Sequence, residues 1–391
     1  MKKKPTKKLT KKQLEQKRLK FLRKMKCIGA GMLAVETFLS AIAVISIIKM
    51  EILKEWQIWL VVGILTGMLV LVATLLIQEK TKKTTKIAGI VISLIVSLMS
   101  LAVFRYTNSF NTLLDRISLG STVTTSDRDL VEKSFIVYIS GSDAREGIKE
   151  TARSDVNIVA VVNPKNTKIL LVTIPRDTYV RLHETTGLKD KLTHAGMYGI
   201  EMSRATIEDF LEIKIDRTVK VSFETVIGIV DELDGIEVES DTEMNLKIEG
   251  KNKYCYYTVG RQKVDGDCAL RFSRERKTYG TGDLHRVENQ QQVLTAMLTK
   301  LSGDKGYLLK LPSILEIVAN SFETSFAREE IASLIRWQLE TGAKWQIESI
   351  TITGPAEMLP TYTYGENMPL YVMHAKPESV KAAQEKIAEY R

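Results

Sequence analysis

Cysteine and histidine are scarce in this chain, with three and four among 391 residues. Cys27, Cys255 and Cys268 form no CxxC pair and no Cys/His combination with zinc-site spacing. His183, His194, His285 and His374 stand in no ligand spacing, so each is expected to be structural. No Gly-x-Ser-x-Gly elbow and no P-loop occurs, which argues against the chemistries those motifs serve. There is no internal repeat, and the only biased tract is a basic one at the start.

That tract accounts for the charge. The formal net charge is +9, yet residues 1–26 alone hold thirteen Lys/Arg against one acid, Glu15, and the chain beyond Arg105 is mildly acidic. A nucleic-acid role would rest on the tail alone, and no helix-turn-helix fits in 26 residues beside an apolar run. The tail reads instead as a topogenic segment that binds anionic lipid, with no nucleic-acid partner.

Long apolar runs are present, at 27–48, 56–77 and 87–104. Each is close to the ~20 residues that cross a bilayer. Ala41-Ile42-Ala43 faintly resembles a cleavage site, but the apolar residues continue past it, so the first run reads as an uncleaved span. The loop at 49–55 has little net charge, whereas the loop at 79–86 holds Lys80, Lys82, Lys83 and Lys86. The basic tail and this second loop therefore belong in the cytoplasm, and everything after the third span lies outside. Glu36, inside the first run, needs a partner or a polar cavity, and a contact between packed helices is the plainer reading. The expected division is a basic cytoplasmic tail (1–26), three membrane helices (27–105), an extracytoplasmic linker (106–133) and a globular domain (134–391). In that external domain Cys255 and Cys268 could form a disulfide or remain two buried thiols.

The globular part begins with a βα pattern. Short apolar runs at 135–139, 156–162 and 169–174 suit buried strands. Asn163-Pro164-Lys165-Asn166 supplies turn chemistry between the second and third, so these two should form a hairpin. Helical patterns lie at 205–211, 223–233, 284–301, 309–322 and 327–341, and further strands at 236–238, 254–259 and 347–352. The alternation predicts an α/β domain with helices on both faces of one sheet.

Unusual residues cluster at the strand ends. Asp143 follows the first strand, Arg153 and Asp155 precede the second, and Arg176 follows the third. A hairpin makes Asp155 and Arg176 neighbours, and Asp143 joins them if the first strand ends at the same edge. Later come Arg274 and Arg276, then Asp283 and Arg286 at a helix start, with Gln290 one turn on. Several arginines near a helix N-terminus suit a polyanion such as pyrophosphate. Two carboxylates among them make sense as hard oxygen ligands for Mg²⁺ or Mn²⁺. Solvated surface ion pairs are the plainer alternative for any single Arg–Asp couple.

These segments also resemble a known family. Ser142-Asp143-Ala144-Arg145, Ala152-Arg153-Ser154-Asp155, Ile174-Pro175-Arg176-Asp177, Lys191-Leu192-Thr193-His194-Ala195, Asp265-Gly266-Asp267-Cys268-Ala269-Leu270, Arg274-x-Arg276 and Gly282-Asp283-Leu284-His285-Arg286…Gln290 resemble, in that order, the LytR–CpsA–Psr family. The resemblance implies an α/β/α sandwich with an apolar tunnel for a polyprenyl chain. It implies an enzyme of the Gram-positive envelope, transferring capsule polysaccharide, teichoic acid or a related polymer from an undecaprenyl-pyrophosphate carrier to peptidoglycan. The metal acids would be Asp143 and Asp155. The pyrophosphate arginines would be Arg153, Arg176, Arg274, Arg276 and Arg286, supported by Asp283 and Gln290. Asp143, Asp155 and Arg176 are the expected catalytic set. Three spans look like the family's capsule-associated branch. A non-catalytic membrane regulator and a lipid-pyrophosphate hydrolase are the alternatives.

Overall fold

The computed structural model describes residues 10–78, 83–118, 130–142, 153–248, 250–276, 278, 283–303 and 310–391. The chain divides into two compact units, Met1–Asn111 and Thr112–Arg391. Three helices open it: α1 (Lys11–Met50), α2 (Glu55–Ile77) and α3 (Lys83–Ser118). Each is long and apolar enough to cross a membrane, over Arg23–Met50, Glu55–Ile77 and Lys83–Ser118. Glu36 is buried, and Ser93 Oγ donates to its Oε2 at 2.6 Å. Ser40 and Ser100 share a hydrogen bond of 3.2 Å, and Thr107 Oγ1 donates to Ser46 Oγ at 2.7 Å. These polar rungs join α1 to α3 and keep hydroxyls and a carboxyl away from lipid. Glu36 thus makes the helix-packing contact expected of it.

One boundary differs. The stretch read as linker from residue 106 is helical as far as Ser118. Phe110, Leu113, Leu114 and Ile117 form an i, i+3, i+4, i+7 stripe, and all four are buried. Polar neighbours masked that stripe in the sequence. Residues 119–129, with the Ser/Thr-rich stretch, lie outside the described residues, as does Asp143.

The second unit starts with β1 (Phe135–Ser142), β2 (Val156–Asn163) and β3 (Lys168–Thr173). Short elements follow: β4 (Tyr179–Val180), β5 (Asp190–Lys191) and α4 (Leu192–Ala195), then α5 (Ile200–Leu211). β6 (Arg217–Ser222) leads directly into α6 (Phe223–Glu232). β7 (Ile236–Ser240), β8 (Met244–Lys247), β9 (Tyr254–Tyr257) and β10 (Gly260–Val264) come next, β7 pairing with β10 and β8 with β9. Then come α7 (Gly266–Ser273), α8 (Asp283–Gly303), α9 (Leu311–Ser321), β11 (Phe322–Thr324), α10 (Arg328–Thr341) and β12 (Gln346–Thr351). A hairpin of β13 (Ala356–Thr361) and β14 (Gly365–Met373) and a last helix, α11 (Pro377–Tyr390), complete the unit.

The main sheet has the order β11-β6-β1-β2-β3-β12. The expected β2–β3 hairpin is present, and β1 is antiparallel to β2. β6 runs parallel to β1 and β12 parallel to β3, so β1, β3, β6 and β12 all point the same way. Side chains alternate between the two faces. Ile136, Tyr138, Val159, Val161, Leu170 and Val172 pack on one face with Ile207 of α5 and Ile387 of α11. Phe135, Val137, Ile158, Ala160, Ile169 and Leu171 pack on the other with Leu294 of α8 and Leu334 of α10. This is the three-layer αβα sandwich. A smaller core gathers Val230, Ile236, Phe272 and Met297. Beside it Cys255 and Cys268 are joined as a disulfide with Cα atoms 5.5 Å apart, so the bridge is present rather than two thiols.

β6 was not foreseen, nor were the β13–β14 hairpin and α11. Along β6 the buried positions are Thr218, Lys220 and Ser222. Polar residues point inward there, the reverse of the pattern that identifies a strand.

Candidate functional site

The four co-directional strands end at one edge of the sheet, and β2 begins there. Asp155 N donates to Gly141 O at 2.8 Å, tying the start of β2 to the end of β1. Thr193 N donates to Arg176 O at 2.9 Å, and Ser154 N to Thr193 O at 3.2 Å, so α4 stitches the two loops together. A buried network lies beneath. Tyr138 Oη donates to Asn157 Oδ1 at 2.7 Å, and the Ser140 and Ser154 hydroxyls share a bond of 2.8 Å. Burial pushes the Tyr138 hydroxyl above its ordinary value, so it stays a donor. With Ser154 pinned, Arg153 and Asp155 leave the backbone from a fixed point.

Asp155 and Arg176 meet as the hairpin predicts: Arg176 Nη1 donates to Asp155 Oδ1 at 2.9 Å, both side chains being about a quarter exposed (24% and 25%). Arg176 Nε also lies 3.7 Å from Asp177 Oδ2, and Lys191 Nζ holds Asp177 at 2.8 Å. Arg153 is exposed and donates through Nη2 to Tyr364 Oη at 2.8 Å.

The later arginines approach from α7 and α8. Ser222, which ends β6, pairs with Ser142 at the end of β1, and Phe223 follows it directly. The Arg274 guanidinium lies 4.9 Å from the centre of the Phe223 ring, placing Arg274 at the same edge. Arg276 is exposed, Arg286 is buried and Gln290 is half-buried. Asp283 begins α8, but its side chain lies outside the described residues. Gln291 holds α8 to the sheet: its Nε2 donates to Thr173 Oγ1 at 2.8 Å and to Thr351 Oγ1 at 3.1 Å, at the ends of β3 and β12. Asn289 Nδ2 donates to Phe272 O at 3.1 Å, tying α8 to α7. These two pins, missed in the sequence, bring the first turns of α8 to the edge where Arg176 stands.

Two buried hydroxyls at this edge, Ser142 Oγ and Thr193 Oγ1, have no hydrogen-bond partner among the described residues. A buried hydroxyl without a partner is costly, and a hard cation or a phosphate oxygen would satisfy it. Ser142 Oγ and the Asp155 carboxylate are oxygen donors of the kind Mg²⁺ prefers, though among the described residues no three His, Cys, Asp or Glu side chains gather as a metal site. A second group joins α4 to β5. His194 Nδ1 is 2.6 Å from Asp190 Oδ1, both residues being buried.

A cavity of about 780 Å³ runs along α8, against β7, β10 and β12. Its walls include Ile236, Val238, Gln291, Ala296 and Ile347, together with charged groups such as Arg261 and Lys263. Of the helices at 205–211, 223–233 and 284–301, only the last, α8, lines this cavity. α5 packs on the sheet, and Gly228 of α6 packs against Ile317 of α9. The lining is mixed rather than wholly apolar.

A profile of the LytR_cpsA_psr family matches residues 102–384. The polyisoprenyl-teichoic acid–peptidoglycan teichoic acid transferase TagV of Bacillus subtilis is 29% identical over 290 residues, which are 72% of this chain and 73% of that protein. The transferase TagU of Halalkalibacterium halodurans is 32% identical over 234 residues, 59% of this chain and 73% of the relative. The crystal structure of Bacillus subtilis TagV superimposes with a TM-score of 0.54 at 29% identity, covering 66% of this chain and 97% of that one. A Streptococcus agalactiae protein, gbs0355, matches with a TM-score of 0.57 over 68% of this chain and 91% of its own. At 23% identity it speaks to the fold alone.

Proposed function

Because the chain belongs to the LytR-CpsA-Psr family, we propose that it transfers an anionic glycopolymer from an undecaprenyl-pyrophosphate carrier to peptidoglycan at the outer face of the cell membrane. Capsule polysaccharide and teichoic acid are the polymer classes this reading covers. The observation that carries it is the contact of Asp155 with Arg176 at the carboxyl edge, where Arg153 stands two residues from Asp155 and Arg274 lies over Phe223.

In this reading the guanidiniums of Arg153, Arg176, Arg274, Arg276 and Arg286 bind the pyrophosphate oxygens through forked donors. Asp283 and Gln290 support them from the start of α8. A sugar hydroxyl of peptidoglycan attacks the phosphorus that bears the polymer, and the bond from that phosphorus to the bridging oxygen breaks. The carrier leaves as polyprenyl phosphate, taking up the proton that the sugar hydroxyl loses, and the polymer keeps its phosphate as a phosphodiester. The arginines stabilise charge that develops on the leaving phosphate. Asp143 and Asp155, with the Ser142 hydroxyl, would hold Mg²⁺ or Mn²⁺, which supplies further neutralisation of that charge. The chemistry requires no protein nucleophile.

The test is the full chain in detergent, incubated with Mg²⁺, a labelled lipid-linked glycan and peptidoglycan fragments. Label on the fragments supports the transferase. Label released free indicates a hydrolase, and tight binding without turnover indicates a regulator.

A further inference from the structure

Arg153 is exposed, and a long cationic side chain on a surface ordinarily samples many rotamers. Here its guanidinium is held by Tyr364 Oη at 2.8 Å. Tyr364 comes from the β13–β14 hairpin, neither strand of which joins the main sheet. The hairpin tip is fastened by several bonds. Tyr179 Oη donates to Pro360 O at 2.8 Å, and Tyr362 N to Lys189 O at 2.9 Å. Thr363 donates to Asp190 Oδ2 through both N, at 2.9 Å, and Oγ1, at 2.5 Å.

Asp190 is completely buried, and its other oxygen meets His194 Nδ1 at 2.6 Å and Lys191 N at 2.7 Å. Four polar partners therefore occupy its two oxygens. The carboxylate requires Nδ1 of His194 to carry its hydrogen, which fixes the ring. That ring lies against Tyr364, with centroids 5.4 Å apart and planes at 59°. The chain of contacts runs from Asp190 through His194 and Thr363 to Tyr364, and from its hydroxyl to Arg153.

We propose that Asp190, His194 and Tyr364 are positioning residues that hold Arg153 in the orientation in which it grips the substrate's pyrophosphate. This rests on the reading of Arg153 as a pyrophosphate ligand. The Tyr364 hydroxyl occupies one of the five guanidinium donors and leaves the rest for phosphate oxygens. The hairpin tip thereby becomes part of the site, although nothing on it touches the phosphates in this role. The effect belongs to binding, so KM should respond and kcat should not.

The test uses the full chain in detergent, farnesyl pyrophosphate with Mg²⁺ as the probe, and calorimetry as the readout. Tyr364→Phe keeps the ring against His194 and removes only the hydroxyl. It should weaken binding roughly fivefold, the scale of one lost hydrogen bond, with an unchanged melting temperature. Arg153→Gln should weaken binding further, and adding Tyr364→Phe to it should change nothing, because the hydroxyl acts only through Arg153. Asp190→Asn should lower affinity in the wild-type background and not in Tyr364→Phe. Wild-type affinity in Tyr364→Phe, or losses that multiply in the double variant, overturns the proposal while leaving the site reading intact. Failure of the wild-type chain itself to bind the probe overturns the site reading and this proposal together.

Discussion

Arg176 Nη1 stands 2.9 Å from Asp155 Oδ1, so a residue suited to an anion and one suited to a cation neutralise each other at the sheet edge. With both side chains about a quarter exposed (25% and 24%), the pair should stabilise the fold by only about 0–1 kcal/mol. Its value lies in chemistry. Asp155→Ala and Arg176→Ala should each cut Mg²⁺-dependent transfer by roughly 10²–10³-fold. Their melting temperatures should stay within a few degrees of wild type. Full activity in Asp155→Ala, or in excess chelator, removes the metal assignment.

The Cys255–Cys268 bridge closes a short loop, the two residues lying 13 apart. In the chain-entropy account, closing such a loop stabilises by about 2–3 kcal/mol. Cys268→Ala should lower the melting temperature accordingly, and dithiothreitol should reproduce the shift in wild type. Two free thiols by mass spectrometry of protein purified without reductant would contradict the bridge.

Acid should expose the buried Asp190. Burial alone pushes its carboxyl up, but bonds from His194 and Thr363, the facing imidazole and Lys191 N together hold it below its usual 3.8. A carboxyl depressed in the folded state binds more protons when unfolded, so its stabilisation is present above 3.8 and fades as pH falls through the folded value. The stability gap between wild type and Asp190→Asn should be constant above that point and narrow below it. Chemical denaturation across pH 7 to about 2.5 reads this directly. A gap that widens on acidification reverses the sign and rejects the account.

How much of this could be read from residues alone varies by element. β1 to β3 are apolar runs with turn chemistry between the last two, and that hairpin alone brought Asp155 and Arg176 together correctly. Asp190 and His194 stand at i, i+4, with Asp190 just ahead of the matched segment 191–195, a spacing that could have flagged the pair. Tyr364 gave no such signal, because it reaches Arg153 through a hairpin far along the chain. β6 stayed hidden because Thr218, Lys220 and Ser222 face inward. The order of strands in the sheet follows from pairings that no local pattern encodes.

Under the proposed transferase reading, the cavity beside α8 is where the carrier's polyprenyl chain would lie. Ala296 is one of its lining residues. Ala296→Trp should weaken binding of a long-chain polyprenyl pyrophosphate roughly tenfold or more, because occupied space must be vacated or the chain displaced. Farnesyl pyrophosphate should be held nearly as before. Equal loss for both lengths places the lipid elsewhere.

The uneven Lys/Arg content predicts an orientation. A reporter fused after Arg391 should read extracytoplasmic and one at Lys4 cytoplasmic, since the basic tail and the loop containing Lys80 to Lys86 resist translocation. A cytoplasmic C-terminus would separate the site from peptidoglycan and end the transferase reading.

The sheet's strand order has a consequence for how a nascent chain folds. β1, β2 and β3 are adjacent in sequence and can pair early, but Lys168–Thr173 keeps an open hydrogen-bonding edge until Gln346–Thr351 arrives to cover it. The same holds for the apolar face of Leu170 and Val172, against which Ala383 and Ile387 of α11 pack last. Such non-local closure is slow, and an open edge over an uncovered face invites pairing with another chain. A partly synthesised domain is therefore the species most in need of a chaperone. A chain stopped before Pro377 should aggregate rather than yield a smaller working enzyme.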